Sequence, residues 1–136
     1  MHKSIQILFM LLLSIMVLPT WADDEPAPAK AIYFAIDEPF TINFLTQSNQ
    51  QARYLQIKVT LMAHDQAIID SAALNSPMLQ DALRSLFTAQ TLETVNSVTG
   101  REALQTASLN TVKSILKEET GKDNIDNVYF TSFILQ

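Results

Sequence analysis

The chain has 136 residues, 48% of them hydrophobic and 17% charged, with no cysteine and two glycines, Gly100 and Gly121. That length holds one domain, and the composition excludes a Gly-rich phosphate cradle, a disulfide framework, a thiolate metal site and a cysteine nucleophile. Fourteen acids against nine bases give a net charge of −5, which argues against duplex nucleic acid as a partner, and two histidines, one of them His2, leave almost nothing for a metal.

The chain opens on a targeting segment, residues 1–22. Lys3 and the α-amine supply a small positive region, and Ile7 to Leu18 is apolar apart from Ser14. As a helix that run is roughly 18 Å long, short against about 30 Å of bilayer hydrocarbon and suited to the core of a signal peptide. Pro19 breaks the helix, and Thr20 and Ala22 occupy the −3 and −1 places of a small-residue cleavage site. The alternative is a retained single-pass anchor from Ile5 to Ala22, with Trp21 in the interface. Both readings put the rest of the chain outside the cytoplasm, since Lys3 precedes the segment and Asp23, Asp24 and Glu25 follow it. All fourteen acids and eight of the nine bases lie beyond residue 22, so that part carries −6. Residues 23–31, rich in Pro and Ala, read as a linker to a folded domain at 32–136.

The domain begins with alternating runs. Ile32, Phe34 and Ile36 alternate before an Asp37-Glu38-Pro39 break, and Phe40, Ile42 and Phe44 alternate after it. From Arg53 to Met62, Leu55, Ile57, Val59 and Leu61 interleave with Tyr54, Gln56, Lys58 and Thr60, the period of a half-buried strand. Residues 46–52 are a polar connection, and two alternating runs so joined suggest an antiparallel pair.

The period then changes. Asn75 or Ser76 caps a helix with Pro77 in its first turn, and Met78, Leu79, Ala82, Leu83, Leu86 and Phe87 make its apolar face. Thr91 caps a short helix from Leu92 to Val98. Thr99 and Glu102 form a capping-box pattern that starts a third helix near Gly100. Leu104, Ala107, Val112, Ile115 and Leu116 line its core side, and Gly121 ends it in the left-handed conformation. Met62 and Met78 read as core fillers. Val128 to Leu135 is β-branched and aromatic, a strand with large side chains on both faces. The pattern predicts an α+β domain with a small antiparallel or mixed sheet and helices packed on one face.

No cofactor, metal or catalytic set emerges. His64 and Asp65 are neighbours that point to opposite faces of a strand, and no G-x-S-x-G elbow accompanies the serines, so a hydrolase would rest on His64 alone. Asp37-Glu38 and Glu118-Glu119 read as solvated turn and helix-end pairs. Asp123, Asn124, Asp126 and Asn127 lack calcium-loop spacing and read as a turn. Tyr129, Phe130 and Phe133 are the candidate partner interface, weighed against ordinary packing on both sides of the strand.

In this order the segments resemble the flagellar basal-body-associated FliL family. The resemblance rests on YFAIDEPFTINFL (Tyr33 to Leu45), RYLQIKVTL (Arg53 to Leu61), SPMLQDALRSLF (Ser76 to Phe87), TLETVNSVTGREAL (Thr91 to Leu104) and VYFTSFILQ (Val128 to Gln136). The last is similar to a closing V-Y-F-T-x-F-x-x-Q of the family and carries most of the specificity. The resemblance implies a non-enzymatic protein with a stomatin-like (SPFH-like) periplasmic domain. It implies association with the flagellar stator and basal body, a ring-forming homo-oligomer, support of rotation and swarming, and inner-membrane attachment. Here the apolar run is shorter than in typical members; cleavage after Ala22 would leave the domain soluble in the periplasm. A periplasmic domain that binds a small ligand or lipid is the alternative from a different functional class.

Overall fold

The computed structural model describes residues 25–44 and 52–136. The targeting segment, with its cleavage site, and nearly all of the polar connection lie outside the described residues. Residues 25–31 form no regular element.

Four strands make one antiparallel sheet: β1 (Ile32–Ala35), β2 (Phe40–Asn43), β3 (Tyr54–Ala63) and β4 (Asn127–Leu135). The long β3 is central. On one side it pairs with β4 from Leu55–Leu135 to Met62–Asn127. On the other it pairs with β2 through its first half and β1 through its second. Five steps of chain from Ala35 to Phe40 oppose three from Thr60 to Ile57, so β1 and β2 are one strand interrupted by two extra residues. The Asp37-Glu38-Pro39 break is that interruption; the charged pair bends out into solvent while Ile36 still donates to the Val59 carbonyl at 2.9 Å.

The alternation in β3 sorts its side chains as the sequence predicts. Leu55, Ile57, Val59, Leu61 and Ala63 are each at most 1% exposed, and Lys58 faces water. Each of the larger of these contributes about 1.5–3 kcal/mol by leaving water. Helices cover this face: α1 (Gln66–Leu74), α2 (Ser76–Thr88), α3 (Leu92–Asn96) and α4 (Val98–Thr120). α1 packs on β1 and β3, α2 on β2, and α4 on β4 and α2. The opposite face carries Tyr33, Tyr54 and Ile134, at 61%, 44% and 42% exposure. Phe87 joins the layers, its ring edge-on to Phe40 at 5.0 Å and to Phe130 at 5.9 Å.

Several expectations are corrected. The sequence pattern does not predict α1: the Asp65 side chain caps it by accepting from Ala67 N, so the chain leaves the strand at His64 and turns helical at once. α3 ends at Asn96, not Val98. α4 is capped by Ser97, whose hydroxyl accepts from Gly100 N, not by the Thr99–Glu102 pair, which lies inside the helix. Its buried row is Leu104, Ser108, Val112 and Leu116, a strict four-residue repeat; Ala107 and Ile115 flank it half-buried. The Ser108 hydroxyl satisfies itself by donating to the Leu104 carbonyl at 2.8 Å. Met62 and Met78 are not core fillers: Met62 lies opposite Tyr33 on the sheet face turned away from these helices, and Met78 is 42% exposed. Thr91 caps α3 and Gly121, at φ 76°, ends α4, both as predicted.

Candidate partner interface

The final strand gathers its aromatics through a bulge. Lys58 pairs with Ser132, but the next residue, Val59, pairs with Phe130, so Thr131 is an extra residue. In a regular strand of this sequence, Phe130 and Phe133, three apart, would fall on opposite faces. With the bulge, Val128, Phe130, Phe133 and Leu135 pair with Leu61, Val59, Ile57 and Leu55 on the helix-covered face. The three candidate residues therefore form two surfaces, not one.

Phe130 and Phe133 stand 5.7 Å apart, centroid to centroid, beneath α4. Tyr129 projects from the other face, 6.4 Å from Tyr33 across the sheet. The expectation of aromatics on both faces holds only through Tyr129.

Beside the two phenylalanines the first turns of α4 add Val98, Arg101, Glu102 and Gln105, at the spacing of one helical face. Together these six residues line an open groove of about 240 Å³. Val98 is 71% exposed at its rim. The Arg101 Nε–H donates to the Val95 carbonyl at 3.0 Å, and its guanidinium lies 5.1 Å from the Phe133 ring centre. One side chain thus ties α3, α4 and β4 together. Gln105 Nε2 donates to the Val128 carbonyl at 2.6 Å, pinning α4 to the start of β4. Sequence reasoning missed Val98, Arg101 and Gln105; their three- and four-residue spacing was legible, but nothing local says which strand that face overlies. A smaller open groove, about 170 Å³, is lined by Arg53, Leu92, Glu93, Asn96 and Leu135.

The polar cluster lies at another end of the sheet. His64 Nδ1 and Asp126 Oδ2 are 2.7 Å apart, both side chains nearly half exposed. A carboxylate only accepts, so Nδ1 carries the proton. Asp65 accepts from Ala67 N at 2.9 Å and from Asn124 Nδ2 at 3.0 Å. The Ala67 amide, then Asn124, with Lys122 assisting against a small desolvation, hold the Asp65 carboxyl below its ordinary range. These contacts lash the start of α1 to the loop before β4. The sequence reading is corrected here: β3 ends at Ala63, so His64 and Asp65 do not lie on a strand with opposed faces, and both reach the same loop, His64 to Asp126 and Asp65 to Asn124. Among the described residues, no group of three or more His, Cys, Asp or Glu could hold a metal ion. Among them, too, no helix is long and apolar enough to cross a membrane.

Residues 33–136 match the family model described as flagellar basal body-associated protein FliL. A flagellar protein FliL of Aquifex aeolicus (strain VF5) is 28% identical over 109 residues, which cover 80% of this chain and 64% of the relative. The match thus spans a little under two thirds of that relative's length.

Proposed function

The chain belongs to the FliL family of flagellar basal body-associated proteins, and from that membership we propose that it is a non-enzymatic accessory of the flagellar motor. It associates with stator units at the basal body on the periplasmic side of the inner membrane and supports rotation and swarming. It does so as a ring-forming oligomer of a stomatin-like domain. The residue 1–22 segment delivers it there, as an anchor or as a leader cleaved after Ala22.

The observation that carries this reading is the family match across 33–136, nearly the whole folded domain. Its local support is the Phe130–Phe133 groove, an apolar surface rimmed by Arg101, Glu102 and Gln105, in the manner of a contact site for another protein. The small-ligand alternative gains no support from the two grooves, which are open and smaller than the roughly 300–1,000 Å³ usual for such sites.

Deleting the gene should reduce swarming and the number of stators engaged at high load; unchanged motility under load would overturn the motor role. Intact mass of the exported protein, with membrane fractionation, tells anchor from cleaved leader.

A further inference from the structure

We propose that the free edge of β4, walled by α4, is a docking groove for an extended segment of a partner polypeptide, which joins the sheet as an added strand. This deepens the motor reading and rests on its assignment of the Phe130–Phe133 surface to partner contact.

The backbone pattern shows which groups are available. Tyr54 and Gln136 exchange both backbone hydrogen bonds at 2.9 Å, and Asp126 N donates to the Met62 carbonyl. In an antiparallel ladder such pairs alternate, so Ile134, Ser132, Tyr129 and Asn127 turn their N–H and C=O groups towards β3. Val128, Phe130, Phe133 and Leu135 turn theirs outward. At Val128 both groups are occupied: its carbonyl accepts from Gln105 Nε2 and its N–H donates to Asn127 Oδ1 at 2.9 Å. Among the described residues no backbone group pairs with the outward groups of Phe130, Phe133 and Leu135. Among the described residues the edge is thus closed at one end and open along the rest.

Exposed edges are usually guarded by charge or proline. From Asn127 to Gln136 this chain has neither; the Thr131 bulge is its single irregularity. Such an apolar, uncharged edge is a template for another strand. The groove beside it supplies what strand addition needs for specificity, an apolar floor of Phe130 and Phe133 with Val98 at its rim, which receives alternate side chains of the guest. Arg101 and Glu102 at its rim cancel in charge, which suits an uncharged segment. A second copy of this chain fits worse. Its other sheet edge, β1 and β2, is overlain by α1 and α2 on the same face as α4, and those helices would meet α4 if the sheets ran on.

The test uses protein purified from its own cells and a panel of blocked five-residue peptides, Thr alternating with Val, Leu or Phe. At about 1 mM peptide, amide hydrogen exchange at Phe133 and Leu135 should slow at least about tenfold. N-methylation of the peptide amides that face β4 should abolish the effect, and methylation of the alternate amides should not. Val98→Asp, a change at an exposed helix start that tolerates an acid, should weaken protection severalfold without altering the melting temperature.

No protection from any peptide, or protection indifferent to N-methylation, overturns strand addition. Protection that appears without peptide and grows with protein concentration shows a second copy on the edge and overturns it equally. A swarming defect in Val98→Asp without peptide protection would leave the motor reading standing while strand addition falls. N-methyl-sensitive protection with normal swarming in Val98→Asp would support strand addition and count against this surface in the motor.

Discussion

Ile57 and Lys58 are neighbours in sequence and opposites in environment. Ile57 is fully buried between Phe40 and Phe133, its partners on either side, whereas Lys58 is exposed. Ile57→Asp would place an unpaired charge there and should cost more than about 4 kcal/mol, enough to unfold a domain of this size. Lys58→Glu should stay within about 0.5 kcal/mol. Circular-dichroism melts of the two variants compare them directly; matching curves would refute the assignment of faces. The glycines separate in the same way. Gly121 needs its left-handed φ of 76° but has open space around it, so Gly121→Ala should cost about 1–2 kcal/mol. A Cβ on Gly100 would come within 2.0 Å of the Thr94 carbonyl oxygen, backbone that cannot step aside. Gly100→Ala should therefore lower the melting temperature further than Gly121→Ala. The role of Gly121 was legible in the sequence because a helix end is local. That of Gly100 was not, because the close approach is made by the end of a different helix.

Among the secondary-structure elements, the bulged β4 offers a sharp test. Thr131 is the extra residue, so deleting it leaves Phe130 and Phe133 two apart, the spacing a regular strand already puts on one face. The shortened strand should fold, with a melting temperature close to that of the parent. Deleting Tyr129, two positions earlier, either keeps the bulge and throws Val128, fully buried opposite Leu61, out of phase, or uses the bulge up and turns Phe130 off the helix-covered face in exchange for Thr131. That variant should lose most of its cooperative melt. If the two deletions behave alike, β4 does not pair with β3 through a bulge at Thr131. The helices were more readable than the bulge. Pro77 and Gly121 mark ends by their backbone preferences and Thr91 by its side-chain hydroxyl, whereas α1 begins at an Asp65 that serves as a cap only because the chain turns off the sheet there.

For the domain as a unit, Asp65 links folding to acidity. Its carboxyl, stabilised as the anion first by the Ala67 amide and then by Asn124, releases its proton more readily in the folded protein than in the unfolded chain. Its contribution is therefore complete above the unfolded value near pH 4 and fades as the pH falls through the folded one. Asp65→Asn should be less stable than the parent at pH 7, and the gap should close towards pH 2. Denaturant melts across that range test it, and a gap that widens in acid would contradict the assignment. The same contacts, with His64 and Asp126, join β3, α1 and the loop before β4, so loosening them should also relax β4, the strand that bears the proposed groove.

The order of amino acids was enough to establish the apolar period of β3, three helix boundaries, the absence of Cys chemistry and the succession of segments that identifies the family. These are local or compositional properties, and each is written within a few residues. Folding in three dimensions was needed to establish that β1 and β2 share one side of β3, that the bulge at Thr131 turns both phenylalanines under α4, that His64 finds Asp126, and that β4 runs beside a helix. Each of those depends on the register between segments far apart in the chain, where a shift of one residue exchanges the buried and exposed faces. Periodicity states which residues share a face; it takes the pairing of strands to say what that face meets.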